Sequence, residues 1–122
     1  MVNVPIHVVD KIERHHKPII NQIRHKIGQP IQVSQNSGYR SKDWELSHGR
    51  NGTSEHTFTG LGAVDYTCAN IELLLEELRA SDYKRICYYP EQKFIHCDHK
   101  GDRYHEFEVD EDGKWQYKGE RK

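Results

Sequence analysis

Two histidines and one aspartate, His56, Asp65 and His96, stand where this sequence best suits the binding of a metal ion. They lie among small and apolar residues, at the ends of stretches that read as strands. Imidazole nitrogens and carboxylate oxygens are zinc ligands, and three protein ligands leave the fourth tetrahedral position open for water. That arrangement is typical of a catalytic zinc ion rather than a structural one. The three residues therefore predict a hydrolytic metal centre.

The residues around these three strengthen the prediction. Between His56 and Asp65 the chain contains Gly62 and other small residues, which allow backbone and ligands to approach closely. Strand alternation predicts that Asp98 lies on the same face as His96, where it would orient that ligand or act as a general base. Spacing alone also allows a metal-free interpretation, with a loop histidine at 56, a strand-end cap at 65 and a hydrogen-bonded sheet histidine at 96.

The elements that must position these residues follow from hydrophobic periodicity. Helical spacing over residues 8–27 predicts two helices that meet at Pro18, and Asn70 predicts the cap of a helix over residues 71–79. The polar residues 41–57 predict a long loop. Strands are predicted at residues 31–34, 62–67, 83–89, 93–98, 104–109 and 114–117. The expected fold is α+β, with the N-terminal helices packed on a small antiparallel sheet.

Composition limits the class of protein. A chain of 122 residues and 14.4 kDa predicts a single domain over residues 1–122. The net charge of -1 argues against a nucleic-acid or membrane-surface partner. The three cysteines form no C-x-x-C pair, which predicts free thiols. Four of the nine histidines fall in the helical stretch, and we expect them to be solvated: His7, His15, His16 and His25.

The sequence also gives expectations about location. No apolar run is long enough to cross a bilayer, and residues 1–5 do not form a basic segment followed by an apolar one. We therefore expect a chain that is made in the cytoplasm without an export signal, does not insert into a membrane and acts as a monomer. If the substrate lies outside the cytoplasm, another route must deliver the protein.

The residues described above resemble those of the zinc D-alanyl-D-alanine peptidases and murein endopeptidases, which share a fold with the hedgehog signalling domain. The family pattern Ser-x-His-x-x-Gly-x-Ala-x-Asp is similar to Ser54, His56, Gly60, Ala63 and Asp65. An upstream Ser-Gly-Tyr-Arg stands at residues 37–40, and a downstream aromatic-x-His at residues 94–96. Tyr-Pro at residues 89–90 and Arg-Tyr at residues 103–104 look like the murein-endopeptidase branch.

Three departures from the family pattern bear on the site. Asp65 follows His56 by nine positions instead of the usual seven, so we expect a bulge around residues 57–61 to absorb the difference. His105 stands where the murein branch often has Trp. Lys93 occupies the place, three before the last histidine, where some relatives carry the acidic catalytic base.

The resemblance implies a hedgehog/D-Ala-D-Ala peptidase-like fold with zinc (Zn2+) held by His56, Asp65 and His96. It implies a zinc metallopeptidase that cleaves peptidoglycan stem peptides or cross-links at bonds involving D-amino acids. Such an enzyme would be a carboxypeptidase or an endopeptidase, and a phage endolysin that acts on the cell wall is compatible with it.

The resemblance also suggests roles for the remaining residues. Arg40 would stabilise the oxyanion or bind a substrate carboxylate through its planar fork. Substrate contacts are expected from Tyr39, Ser54 and His105. Asp98 is the first choice for the general base, and the other candidates are Glu91, His105 and His48.

Two alternatives from other classes remain. The first is a zinc-binding recognition domain of the same fold that does not hydrolyse its ligand, which Lys93 in place of an acid favours. The second is a metal-free structural domain. Bound zinc separates the second from the others, and hydrolysis separates the first from a peptidase.

Overall fold

The computed structural model describes residues 4–34, 39, 41–49 and 54–119. Its helices are α1 (Ile6–His15), α2 (Lys17–Ile27), α3 (Lys42–Ser47) and α4 (Ile71–Arg79), with a 3-10 turn at Glu55–Thr57. Its strands are β1 (Ile31–Val33), β2 (Ala63–Cys68), β3 (Arg85–Tyr89), β4 (Phe94–Asp98), β5 (His105–Val109) and β6 (Trp115–Gly119). Within these residues, no helix combines the length and apolar character that crossing a bilayer requires.

The predicted helix boundaries at Pro18 and Asn70 are confirmed. Pro18 lies in the first turn of α2, where its missing N–H removes no helical hydrogen bond. Asn70 caps α4, because its side-chain oxygen accepts a hydrogen bond from the backbone N–H of Leu73 at 3.1 Å. Gly28 ends α2 in the left-handed conformation, with φ of 66°.

The core lies between the helices and one face of the sheet. Alternate residues of β2, β3 and β4 face α2 and α4, and the neighbouring residues of each strand face away from these helices. The core residues are Ile23, Val64, Tyr66, Leu74, Leu75, Leu78, Tyr83, Ile86, Ile95, Cys97 and Tyr104. None of the three cysteines forms a disulfide, as expected.

The sheet is mixed, so the expectation of an antiparallel sheet needs correction. Its strand order is β1-β2-β4-β3-β5-β6, and β3 pairs with β5 in parallel while the other pairs are antiparallel. The last residue of β4 and the first residues of β3 and β5 lie next to one another, at the same end of their strands. Residues 99–104 therefore pass the end of β3, and β5 runs beside β3 instead of pairing with β4.

The prediction of a continuous loop over residues 41–57 was wrong in two places. The chain forms α3 within it, and the 3-10 turn follows just before β2. Glu45 of α3 is buried, which the sequence did not predict. Helix α3 is six residues long and mostly polar, so it carries no apolar period that could reveal it.

His16 is buried at 1% exposure, so its predicted solvation was wrong. It lies at the junction of α1 and α2, where its Nε2 donates to the carbonyl oxygen of Leu61 at 2.9 Å. Its Nδ1 lies 2.7 Å from the hydroxyl of Tyr83, which is itself 2.7 Å from the hydroxyl of Tyr66. Burial lowers the pKa of His16 to about 4, against the opposing effect of the Leu61 carbonyl. A neutral imidazole therefore ties the helix junction to the segment before β2.

This burial predicts a loss of stability in mild acid. Because the folded pKa of His16 lies below the unfolded value of about 6.5, the unfolded chain binds more protons between these values. The free energy of unfolding should therefore fall as the pH drops from 6.5 toward 4. The His16→Gln variant cannot titrate there, so the wild-type advantage over it should shrink by about 2 kcal/mol between pH 7 and pH 4.5.

Urea unfolding at both pH values measures this difference. His25→Gln is the matched control, because His25 is exposed on α2 and its side chain meets solvent in both states. A wild-type advantage that stays constant across the pH range would show that His16 is not held neutral by burial.

Candidate metal centre

His56, Asp65 and His96 come together on the face of the sheet that points away from α2 and α4. Asp65 of β2 and His96 of β4 are direct partners across the antiparallel pair, so their side chains share that face. His56 enters from the 3-10 turn that precedes β2. All three are buried, with exposures of 3%, 3% and 5% respectively. One ligand atom of each lies within 4.8 Å of the other two.

The distances in this cluster suit a shared cation. His96 Nδ1 lies 3.0 Å from Asp65 Oδ1, and His56 Nε2 lies 3.3 Å from the same oxygen. Among the residues that the structure describes, His56 Nδ1 is a buried nitrogen with no hydrogen-bond partner. It is not the ring nitrogen that lies near Asp65, so it takes no part in this contact. Two imidazoles and one carboxylate match the donor set of zinc, so the residues present fit that ion.

The two histidines keep the carboxylate of Asp65 charged. Burial alone would raise the pKa of Asp65, but hydrogen bonds from His56 and His96 outweigh it and lower the pKa to about 2. Burial likewise disfavours the charged form of His96, and the hydrogen bonds to Asp65 and Asp98 reverse this and raise its pKa. Asp65 is therefore ionised at neutral pH, as a metal ligand must be.

Asp98 lies beside His96 as strand alternation predicted, but both of its oxygens are engaged. Oδ2 lies 2.7 Å from His96 Nε2, and Oδ1 accepts from the backbone N–H of Lys100 at 2.9 Å. Arg85 donates to both oxygens. The side chain is fully buried, and its pKa is lowered because His96 and Arg85 outweigh the effect of burial. This geometry favours a residue that orients His96 over a general base that acts on water.

The segment between His56 and Asp65 takes the left-handed conformation at two positions, Phe58 and Gly62. Phe58 is buried and left-handed with φ of 56°, and its carbonyl oxygen accepts from Lys11 Nζ at 2.7 Å. Gly62 has φ of 89°, and a Cβ there would lie 2.0 Å from the ring of Phe58. The turn thus depends on a glycine at this position.

A family model described as Peptidase M15 matches residues 6–98. The chain belongs to this family. The match confirms the predicted resemblance and covers α1 through β4, which includes all three residues of the cluster. No curated protein and no solved structure matches the chain. Family membership implies a zinc-dependent metallopeptidase.

The substrate-side residues predicted for this M15 peptidase lie in different places. Arg40 and residues 37–38 lie outside the described residues. The ring of Tyr39 lies 6.5 Å from that of His7 on α1. Ser54 accepts a hydrogen bond from the backbone N–H of His56 at 3.2 Å, which supports the turn that carries this histidine. His105 begins β5 and donates from Nδ1 to the carbonyl oxygen of Arg103 at 3.0 Å.

The other base candidates are more exposed than Asp98. His48 follows α3 and is exposed, and its Nδ1 lies 3.1 Å from the hydroxyl of Ser47. Glu91 is exposed in the turn between β3 and β4, beside a groove that it shares with the β5–β6 turn. Lys93 ends the same turn in the left-handed conformation, with φ of 59°, and is exposed.

Two residues next to the cluster were not identified from the sequence. Arg85 of β3 is the strand partner of Asp98. Trp115 of β6 has its ring 5.1 Å from that of His96 and 5.0 Å from the guanidinium carbon of Arg85. Alternation along residues 83–89 was the available signal for Arg85, because it fixes the face on which that side chain lies. The position of Trp115 depends on the parallel pairing of β5, which the sequence did not predict.

The close approach of Gly62 to the ring of Phe58 gives a prediction about stability. Gly62→Ala should lower the free energy of unfolding by about 2 to 4 kcal/mol, from left-handed strain plus the overlap with Phe58. Gly113→Ala is the matched control, because Gly113 has a similar φ of 77° with nothing within 4 Å of the added carbon. It should lose only about 1 kcal/mol. Chemical denaturation measures both, and equal losses would show that Phe58 does not restrict this position.

Proposed function

We propose that this M15 chain is a zinc peptidase that cleaves peptidoglycan stem peptides or cross-links at bonds involving D-amino acids. It would act as a D-Ala-D-Ala carboxypeptidase or an endopeptidase, and a role as a phage endolysin is compatible with either. The observation that carries this proposal is the buried His56, Asp65 and His96 cluster inside the segment that matches the family. The charged carboxylate of Asp65, which faces nitrogens of both His56 and His96, supports a bound cation.

The chain's own residues would divide the work as follows. Zinc held by His56, Asp65 and His96 would polarise the scissile carbonyl and lower the pKa of a bound water. Asp65 contributes the negative charge, and Asp98 holds the imidazole of His96 in one orientation through Nε2. The hydroxyl of Ser54 supports His56 by accepting a hydrogen bond from the backbone N–H of His56. We assign the substrate-facing roles to Tyr39 and His105.

We propose that the general base is a residue other than Asp98, outside the ion pair of Asp98 and Arg85. Asp98 was the first choice from the sequence, but its contacts with Arg85 and His96 occupy it. Glu91, His105 and His48 remain as candidates, and each can be tested by replacement with Gln. Loss of the acidic limb of the pH–rate profile in one variant would identify the base.

One observation favours a second candidate function, a zinc-binding recognition domain without hydrolysis. Lys93 occupies the position of the acidic base of some relatives, and it is exposed at the end of a turn. A lysine cation cannot accept a proton there. In this case the cluster would hold zinc and bind a peptidoglycan peptide without cleaving it.

The proposed function predicts one zinc ion per chain and hydrolysis of purified peptidoglycan that stops on chelation. His56→Ala and His96→Ala should each lose both metal and activity, because a three-ligand site cannot lose one ligand and keep zinc tightly. His25→Ala, on the exposed face of α2, should keep both. Elemental analysis and mass spectrometry of the released peptides provide the measurements. Zinc without cleavage would favour the recognition domain, and a chain that binds no zinc would contradict both functions.

Arg40 gives a separate prediction about turnover. If Arg40 stabilises the oxyanion, Arg40→Ala should keep its zinc and lose roughly 10²- to 10³-fold in kcat. Arg14→Ala is the control, because Arg14 is exposed and pairs only with Asp10 in its own helix among the contacts described. Metal content and steady-state kinetics on a stem peptide test this. Loss of zinc from the Arg40 variant would contradict a role restricted to the reaction.

A further inference from the structure

Arg85 makes the tightest ion pair next to the cluster. Its Nη2 lies 2.6 Å from Asp98 Oδ2 and its Nε lies 2.9 Å from the same oxygen, with a longer contact of 3.2 Å to Oδ1. The two residues are direct partners in the β3–β4 ladder, so the strand pairing fixes this geometry. The side chain of Arg85 is 18% exposed and that of Asp98 is 0% exposed. This pair is therefore built into the sheet.

Trp115 restricts the guanidinium from the other side. The guanidinium carbon lies 5.0 Å from the centre of the indole ring, within range of a cation–π interaction. The indole is itself fixed, because its Nε1 donates to the hydroxyl of Tyr89 at 2.9 Å and its ring packs 5.4 Å from Phe107. The same indole also contacts His96. Arg85 is therefore held between a carboxylate and an aromatic ring.

We propose that Arg85 is a positioning residue for the metal site, which fixes Asp98 on Nε2 of His96 so that Nδ1 faces Asp65 and the ion. The inference rests on the proposed metal site. Asp98 Oδ2 accepts from Arg85 and contacts His96 at once, so the guanidinium sets where that oxygen lies. His96 Nδ1 then lies 3.0 Å from Asp65 Oδ1. The contacts from Arg85 to Asp98 and from Asp98 to His96 thus determine which nitrogen of His96 is presented to the metal.

The chemistry of arginine matters to this role. A guanidinium has a planar fork that donates through two nitrogens at once, whereas a lysine ammonium is a single flexible point charge. Groups that orient a metal-bound histidine typically change metal affinity by 10- to 100-fold when they are removed. We therefore expect an effect on zinc affinity of that size from Arg85, with only partial recovery from lysine.

The test is zinc affinity of the metal-free protein, measured by competition with a chromophoric chelator. Arg85→Met should weaken zinc binding by about 10- to 100-fold, and Arg85→Lys should recover part of the loss. The matched control is Arg79→Met. Arg79 makes a comparable two-nitrogen ion pair with Glu106, at 2.9 and 2.8 Å, and its loss should leave zinc affinity unchanged.

A second variant guards against simple misfolding, because Arg85→Met leaves a buried carboxylate without its partner. Arg85→Met/Asp98→Asn removes that charge and should recover stability while zinc affinity stays as low as in the Asp98→Asn single variant. Such non-additivity is expected of residues that act through one another. Cobalt-substituted protein should show a changed visible absorption spectrum in the Arg85 variants and the wild-type spectrum in Arg79→Met.

The outcomes separate the two levels of the proposal. A wild-type chain that binds no zinc overturns both the metal site and the role of Arg85. Wild-type zinc binding that Arg85→Met does not alter overturns only the role of Arg85. Equal losses in Arg85→Met and Arg79→Met would point to general destabilisation and would also overturn it.

Discussion

The buried carboxylate of Asp65 is the constraint on which the rest of the site depends. A buried charge is tolerated only where partners stabilise it, and here two imidazoles face the same oxygen. His96 is in turn fixed by a second buried carboxylate, Asp98, whose charge is balanced by Arg85. Removal of any member would leave another without compensation. The polar face of the sheet is therefore a linked set of charges, and a cation at the cluster would complete it.

The opposite face of the sheet positions this set through ordinary packing. The residues that alternate with Asp65 and His96 belong to the core under α2 and α4, so burial of that core fixes the register of β2 and β4. A shift of one residue would exchange the two faces and place charges in the core. The helices also hold His56 indirectly, through the segment that follows it. His16 donates to the carbonyl oxygen of Leu61 and Lys11 donates to that of Phe58.

The sequence predicts most of the helices and strands and the face on which each strand residue lies, but it does not predict which strands are adjacent in the sheet. A period of two places His96 and Asp98 on one face, and a family pattern selects His56 and Asp65 as their partners. The period does not say which strands are adjacent, so Arg85 was not connected with Asp98 although its face was readable. His16 was misjudged for a related reason: polar residues surround it along the chain, and the segment that buries it begins far away at Phe58 and Leu61.

The C-terminal hairpin shows how topology adds to what the family pattern contains. The M15 match ends at residue 98, yet β5 and β6 lie beyond it and belong to the same sheet. Because residues 99–104 pass the end of β3, β5 pairs with β3 in parallel and brings β6 to that side of the sheet. Trp115 therefore reaches Arg85 and His96 from a part of the chain that the family match leaves out. In this chain the surroundings of His96 thus depend on the C-terminal hairpin as well as on the strands that carry His96 and Asp65, because the indole of Trp115 lies against the imidazole.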